Sequence, residues 1–163
     1  MSSLTCGLAA IALLFSGCAS EAPPAADAPT SSTAAGTTQE AGASQALQEA
    51  IAGIDAAVYA YGVVGAHVRG SSQRQAMRAI AALDRQRAGF ELALGSPVSE
   101  AAVAYALPGP VATAAEASAL AELLEMKLLP LFDQVSATTT GAVHALAVNA
   151  SRKAALRARF WQS

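Results

Sequence analysis

The chain has 163 residues, of which 53% are hydrophobic, 13% charged and 5% aromatic, and its formal net charge at pH 7 is −2. This composition is too apolar for general disorder and provides enough residues for one folded domain. The near-neutral charge, together with the lack of a basic stripe interleaved with aromatic residues, argues against nucleic-acid binding.

The N-terminal segment predicts export. Residues 4–17 form an apolar run that is short for a membrane span but has the length of a signal-peptide core, so we predict that residues 1–17 are a signal peptide. Residues 15–18 read Phe-Ser-Gly-Cys and resemble the lipobox of bacterial lipoproteins, in which a cysteine is acylated and becomes the mature N-terminus. The resemblance implies lipid on Cys18 and attachment to the outer face of the cytoplasmic membrane. An ordinary signal peptide followed by a chance cysteine remains the alternative.

Cysteine usage agrees with this interpretation. The chain has two cysteines; Cys6 lies in the predicted signal peptide, and Cys18 is the predicted lipidation site. The mature protein would then have no thiol for a disulfide, a thiolate metal site or a nucleophile.

The next segment predicts a tether. Residues 19–43 contain no Val, Ile, Leu, Met or aromatic residue and cannot bury enough surface to offset the entropy of ordering. We therefore predict a lipidated cysteine and disordered tether over residues 18–43, and a folded domain over residues 44–163. A flexible coil of this length would hold the domain on the order of 25–30 Å from the membrane.

Beyond the tether, apolar residues recur in steps of three and four, which predicts amphipathic helices. The clearest stripe includes Leu47, Ile51, Ile54, Val58 and Tyr61. Turn and cap signals divide the rest of the chain. The predicted helices cover residues 44–68, 72–94, 113–137 and 140–161.

The lengths of the links predict the topology. Links of about four residues join the first helix to the second and the third to the fourth, so each pair should form an antiparallel hairpin. Residues 95–112 are enough to run the full length of a helix. Two hairpins joined by one long crossover predict an all-α, ferritin-like four-helix bundle. Pro130, inside the third helix, predicts a kink.

Two motifs carry a resemblance. Residues 57–66 (AVYAYGVVGA) and 104–111 (AYALPGPV), with the last helix containing Arg and Trp, resemble an uncharacterised ferritin-like domain family of secreted or lipid-anchored actinobacterial proteins. The similarity covers residues 44–162. It implies the fold but no activity, because the family has no established function. Members of that family often have Glu-His where this chain has Ile54-Asp55.

Metal chemistry is a weak alternative. Di-iron bundles use a Glu-x-x-His motif on each of two helices, and this sequence contains none, so we expect no di-iron site and no cofactor. A mononuclear site stays open, because five residues have positions that could face the bundle interior: Asp55, Asp84, Glu91, Glu125 and His144.

The second helix favours structural ion pairs instead. Asp84, Arg87 and Glu91 have the spacing of ion pairs along one helix. Arg87 also continues the apolar stripe of this helix, so if it is buried it needs a carboxylate partner from Asp84, Glu91 or Asp55.

Aromatic and basic residues give two further alternatives. Tyr59, Tyr61 and Tyr105 mark a possible pocket between the crossover and the bundle, although core packing is the favoured interpretation. The last helix carries four basic residues, Arg152, Lys153, Arg157 and Arg159, which complement the helix dipole. Contact of these cations, with Phe160 and Trp161, with anionic headgroups is the alternative.

The sequence therefore predicts a lipid-anchored, non-catalytic helical module that acts through contacts with the membrane, an envelope protein or a second copy of itself. Two other functions stay open: a metal-binding or redox protein with an atypical carboxylate site, and a small-molecule binder between crossover and bundle.

Overall fold

The computed structural model describes residues 32–98 and 100–163, with side chains from residue 39 onward. The predicted signal peptide, Cys18 and the first part of the tether lie outside these residues. Four helices make up the described chain, which contains no strand. They are α1 (Ser32–His67), α2 (Gly70–Leu94), α3 (Ala114–Thr138) and α4 (Gly141–Trp161). The predicted all-α four-helix bundle is confirmed.

The start of α1 differs from the prediction. The helix begins at Ser32 rather than near Ser44, so the described end of the predicted tether is helical. This segment lacks proline and has four alanines, although its two glycines and three threonines are poor helix formers. Its side chains from residue 39 onward are exposed or half-buried, and among the described residues the buried stripe begins at Ala46. The prediction missed this because it required burial for an ordered helix.

Both hairpins turn in the same way. Two residues link α1 to α2 and two link α3 to α4, and each following helix starts at a glycine with positive φ, Gly70 at 64° and Gly141 at 62°. Glycine adopts this left-handed conformation without the steric cost that a Cβ atom imposes. These tight turns make the two helices of each pair antiparallel.

The crossover runs along α1, with contacts from Gln48 to Tyr59. Its start, at Pro97 and Val98, lies beside Gln48 near the beginning of the buried part of α1. Further along, the ring of Tyr105 packs on that of Tyr59 at 5.7 Å between centroids. The predicted long crossover between two hairpins is therefore present, and α1 lies antiparallel to α3.

A capping box starts α3. The side chain of Thr113 accepts a hydrogen bond from the Glu116 amide at 3.2 Å, and Glu116 Oε2 accepts one from the Thr113 amide at 2.9 Å. Hydrogen bonds from the backbone amides of Ala112 and Thr113 lower the pKa of Glu116. The stabilisation is therefore present above the ordinary carboxyl pKa and is lost in acid.

The helix continues through Pro130, which is exposed. Proline has no N–H group to donate to the carbonyl of Met126, four residues earlier. Met126 is exposed as well. Water can therefore satisfy this carbonyl. A bend at this point stays a prediction.

The core consists of aliphatic and alanine side chains with few aromatic rings. Ile51, Ile54 and Leu83 are fully buried, and Phe90 packs on Phe132 at 5.9 Å between centroids. Fully burying an aliphatic or aromatic side chain of this kind is worth about 1.5–3 kcal/mol. The part of α1 from Gln39 to His67 is long and apolar enough to span a membrane. Because its apolar stripe is covered by α2 and α3, we interpret it as a core helix.

Glycines permit close helix contacts at two positions that the sequence did not indicate. A Cβ atom at Gly53 would overlap the side chain of Leu131, and one at Gly89 would lie 2.8 Å from Leu146 Cδ2. Gly62 and Gly65 cost helix propensity, so the sequence alone predicts close helix contact at these two positions, but they have more space. A Cβ atom at Gly62 would meet nothing within 4 Å, and one at Gly65 would lie 3.9 Å from Ala76 Cβ, an ordinary van der Waals contact. The tight contacts therefore lie at Gly53 and Gly89.

This difference predicts opposite effects of the same substitution. Gly62→Ala should raise the free energy of unfolding by about 0.5–1 kcal/mol, because it improves helix propensity in open space. Gly53→Ala should raise the free energy of unfolding by less, or lower it, because the added Cβ atom would force the side chain of Leu131 to move. Urea unfolding of both variants measures the difference, and equal stabilisation by both would contradict the close contact at Gly53.

Candidate functional site

A buried polar cluster joins three helices. Glu125 of α3 is completely buried, and its Oε1 accepts hydrogen bonds from Tyr61 Oη and Arg157 Nε, both at 2.6 Å. Its Oε2 accepts a second bond from Arg157 Nη2 at 2.8 Å. Trp161 Nε1 in turn donates to Tyr61 Oη at 3.1 Å. We call these four residues, Tyr61, Glu125, Arg157 and Trp161, the Glu125 cluster.

Each charge in the Glu125 cluster is compensated inside the bundle. Arg157 meets the carboxylate with two parallel N–H groups, the geometry that gives strong charge-assisted hydrogen bonds. Burial, and next the charge of Glu125, raise the pKa of Tyr61, so this hydroxyl stays protonated and remains a donor. The carboxylate oxygens are thus already bound by protein groups.

The sequence interpretation placed part of this cluster incorrectly. The predicted role of Arg157 at the helix dipole requires an exposed side chain, and the headgroup alternative requires the same of Trp161, but only 8% and 7% of their surfaces are exposed. The signal was the alanine stripe of α4, whose buried members are Ala147, Ala150, Ala154 and Ala158. Arg157 and Trp161 continue this stripe, and the small neighbours leave room for the long Arg157 side chain.

The larger apolar residues of α4 show the opposite behaviour. From the sequence alone, Leu146, Leu156 and Phe160 are predicted to form the buried stripe of this helix. Leu156 is 59% exposed and Phe160 is 37% exposed, whereas Leu146 is half-buried against α2. The buried side of α4 thus consists of four alanines, the cation Arg157 and the aromatic residue Trp161. The hydrophobicity of the individual residues does not reveal this pattern.

A second ion pair joins α1 to α2. Arg87 Nε donates to Asp55 Oδ1 at 2.5 Å, and Arg87 Nη1 lies 2.6 Å from Glu91 Oε1. The hydrogen bond to Asp55 is the main cause that raises the pKa of Arg87. Asp84 is exposed and makes no ion pair within the described residues. The partners of Arg87 are therefore one acid from each helix.

The five weak metal candidates do not converge. Asp55 and Glu91 both bind Arg87, whereas Glu125 lies in its own cluster. The ring Nδ1 of His144 donates to the Ser136 carbonyl at 2.8 Å. Within residues 39–98 and 100–163, no three His, Cys, Asp or Glu side chains lie close enough to hold one ion. The donors present thus do not fit the di-iron centre that ferritin-like bundles can carry.

A cavity of about 310 Å³ lies where the crossover leaves α2. It is lined by apolar groups, the ring of Tyr105 and three acidic residues. The lining includes Glu49, Ile51, Asp55, Val98, Glu100 and Tyr105. Of the three tyrosines expected at a pocket, only Tyr105 lines it, since Tyr59 packs against Tyr105 from outside and Tyr61 belongs to the Glu125 cluster.

Comparisons with known proteins give a family and a similar structure. The model of the family described as "Domain of unknown function (DUF4439)" matches residues 46–163, beginning at Ala46, the first buried residue among the described side chains of α1. The crystal structure of a conserved hypothetical protein, rv2844, from Mycobacterium tuberculosis is similar, with a TM-score of 0.71 and 27% identity. The match covers 76% of this chain and 90% of that one. A search of curated proteins gave no match.

Removing the cation of the Glu125 cluster should be costly. Arg157→Met should lower the free energy of unfolding by about 3–5 kcal/mol, because it leaves the carboxylate of Glu125 buried without its partner. The double variant Glu125→Leu/Arg157→Met should recover most of this loss. Arg159→Met, an exposed position on the same helix, serves as the matched control and should change stability by less than about 0.5 kcal/mol. Equal effects of Arg157→Met and Arg159→Met in urea unfolding would contradict the structural role.

Proposed function

The chain belongs to the DUF4439 family of domains of unknown function, and we propose that it is an exported, lipid-anchored helical module of the cell envelope. In this proposal Cys18 carries the lipid, and the four-helix bundle lies on the outer face of the cytoplasmic membrane. The module acts through contacts with other envelope components and has no catalytic activity of its own. An actinobacterial source is part of the same proposal, supported by the likeness to a protein of Mycobacterium tuberculosis.

The anchor proposal is supported by the N-terminal sequence. An apolar run of signal-peptide length precedes the residues Phe-Ser-Gly-Cys at positions 15–18. The polar and small residues that follow separate Cys18 from the first buried residue, Ala46. A folded domain preceded by such a spacer is what a lipid-anchored protein requires.

The proposed non-catalytic role is supported mainly by the hydrogen bonding of the buried carboxylate of Glu125. In ferritin-like metalloproteins, inward-facing carboxylates of the bundle bind the metals. In this bundle the inward-facing Glu125 is bound by Arg157 and Tyr61. Its charge and hydrogen-bonding capacity hold helices together, which supports a scaffold whose surfaces interact with partners.

The cavity at Tyr105 supports a second candidate function, the binding of a small organic cation. Its volume of about 310 Å³ is at the lower end for small-molecule sites. Its lining combines an aromatic ring, aliphatic groups and the carboxylates of Glu49 and Glu100, whereas the third carboxylate, that of Asp55, already pairs with Arg87. This combination favours a compact amine with an apolar part.

Fractionation of cells grown with labelled fatty acid tests the anchor. The native protein should sediment with the membrane, be released by detergent and carry the label, and Cys18→Ser should lose the label because the acylated thiol is lost. Cys6→Ser is the matched control and should keep the label. Equal labelling of the native protein and Cys18→Ser would contradict lipid anchoring at this residue.

Calorimetry with two probes of equal shape tests the cavity. Benzylamine should bind more tightly than benzyl alcohol, because only the amine meets the carboxylates with a charge. Glu100→Gln should weaken benzylamine binding selectively, whereas Tyr105→Leu should weaken both. Equal binding of the two probes, or no effect of either variant, would contradict a cation site.

A further inference from the structure

Basic and acidic residues are distributed unevenly between two pairs of helices. The helices α2 and α4 together contain eight of the ten Lys and Arg residues of the chain but only two of its twelve acidic residues. By contrast, α1 and α3 contain seven acidic residues and one cation, Lys127. Because the whole chain is close to neutral, its composition conceals this separation.

The cations of α2 lie on the side that approaches α4. Gly89 is the α2 residue that contacts Leu146 of α4. Arg85 precedes Gly89 by four positions and Arg78 precedes Arg85 by seven, so all three share one side of the helix. The acid Glu91 lies on the other side with Arg87, which binds Asp55 of α1.

A corresponding stripe runs along α4. Lys153 and Phe160 follow Leu146 at intervals of seven, so they lie on the side of α4 that approaches α2. Since α2 and α4 are antiparallel, the contact between Gly89 and Leu146 places Arg85 near the level of Lys153 and Arg78 near that of Phe160. The two stripes thus border one surface.

This surface is exposed and its cations are not neutralised nearby. Arg78, Arg85 and Lys153 are exposed, and none forms an ion pair with the described part of the chain. Leu156 is 59% exposed and Phe160 is 37% exposed between and beside them. We call the surface formed by Arg78, Arg85, Lys153, Leu156 and Phe160 the basic face.

We propose that the basic face docks on a membrane surface that contains anionic phospholipids. Lys and Arg side chains near such a surface are attracted to its headgroups, and Arg also binds phosphate oxygens through two N–H groups. Exposed Leu and Phe side chains among cations are the groups that enter the boundary between headgroups and acyl chains.

The docking rests on the proposed lipid anchor, which selects the membrane as the partner. Residues 18–31 separate Cys18 from α1 and could extend to about 45 Å at about 3.3 Å per residue. The 25 residues of α2 measure about 37 Å at 1.5 Å per residue. The connection is therefore long enough for the bundle to lie on its side with α2 and α4 against the lipid.

A second copy of this chain is the competing occupant of the basic face. It would have to present its acidic helix α1, but in each copy the crossover already lies along that helix.

Vesicle binding of the predicted mature chain, residues 18–163 with Cys18→Ser, tests the basic face separately from the anchor. The probes are vesicles of phosphatidylcholine alone and of equal parts phosphatidylcholine and phosphatidylglycerol, used in a sedimentation assay at low and high salt. Binding should require phosphatidylglycerol and decrease with salt. Lys153→Gln should weaken it about fivefold, and Arg78→Gln/Arg85→Gln about 25-fold, at about fivefold for each cation.

Lys127→Gln on α3 is the matched control for Lys153→Gln, because both remove one exposed lysine from a helix and leave the same net charge. It should leave vesicle binding unchanged. Equal weakening by the two lysine variants, or binding that does not require phosphatidylglycerol, would overturn the proposal. So would self-association that Arg78→Gln/Arg85→Gln abolishes without any loss of vesicle binding. None of these results would affect the test of the anchor, which depends on the fatty-acid labelling of Cys18→Ser.

Discussion

The burial of one carboxylate constrains most of this bundle. An ionised Glu125 in the interior is stable only if its oxygens are bound and its charge is compensated. Tyr61 from α1 and Arg157 from α4 meet both requirements, and Trp161 completes the hydrogen bonding of Tyr61. Because these residues come from three helices, a shift of any one helix along its axis would leave a polar group without its partner.

This constraint also determines which side of α4 faces outward. With Arg157 and Trp161 directed into the bundle, the alanine stripe packs against the other helices and the larger Leu156 and Phe160 remain exposed. Lys153 lies on the same outward stripe as Phe160. The interior ion pair and the exposed basic face are therefore two consequences of one helix orientation.

Ferritin-like bundles can hold metal ions at their centre, but the described interior of this protein uses its charged residues in another way. The Glu125 cluster and the pair of Asp55 with Arg87 each fix a contact between helices. The two features for which we propose binding are at the periphery, in the cavity beside Tyr105 and on the basic face. A common fold thus supports different functions, because function depends on the residues placed on it.

The order of amino acids is enough to specify the class of fold, the number of helices and their connectivity. Apolar spacing of three and four, short hairpin links and one long crossover are local properties, and they are sufficient for this topology. The same local pattern identifies Arg87 as a residue in need of a carboxylate. Helix packing adds Asp55 to the local partner Glu91, since Asp55 lies 32 positions away and approaches only when α1 and α2 pair. Packing also buries Arg157 and Trp161 and leaves Phe160 exposed. The alanine stripe of α4 has little hydrophobicity of its own, so only contact with the neighbouring helices shows which side of that helix is the core.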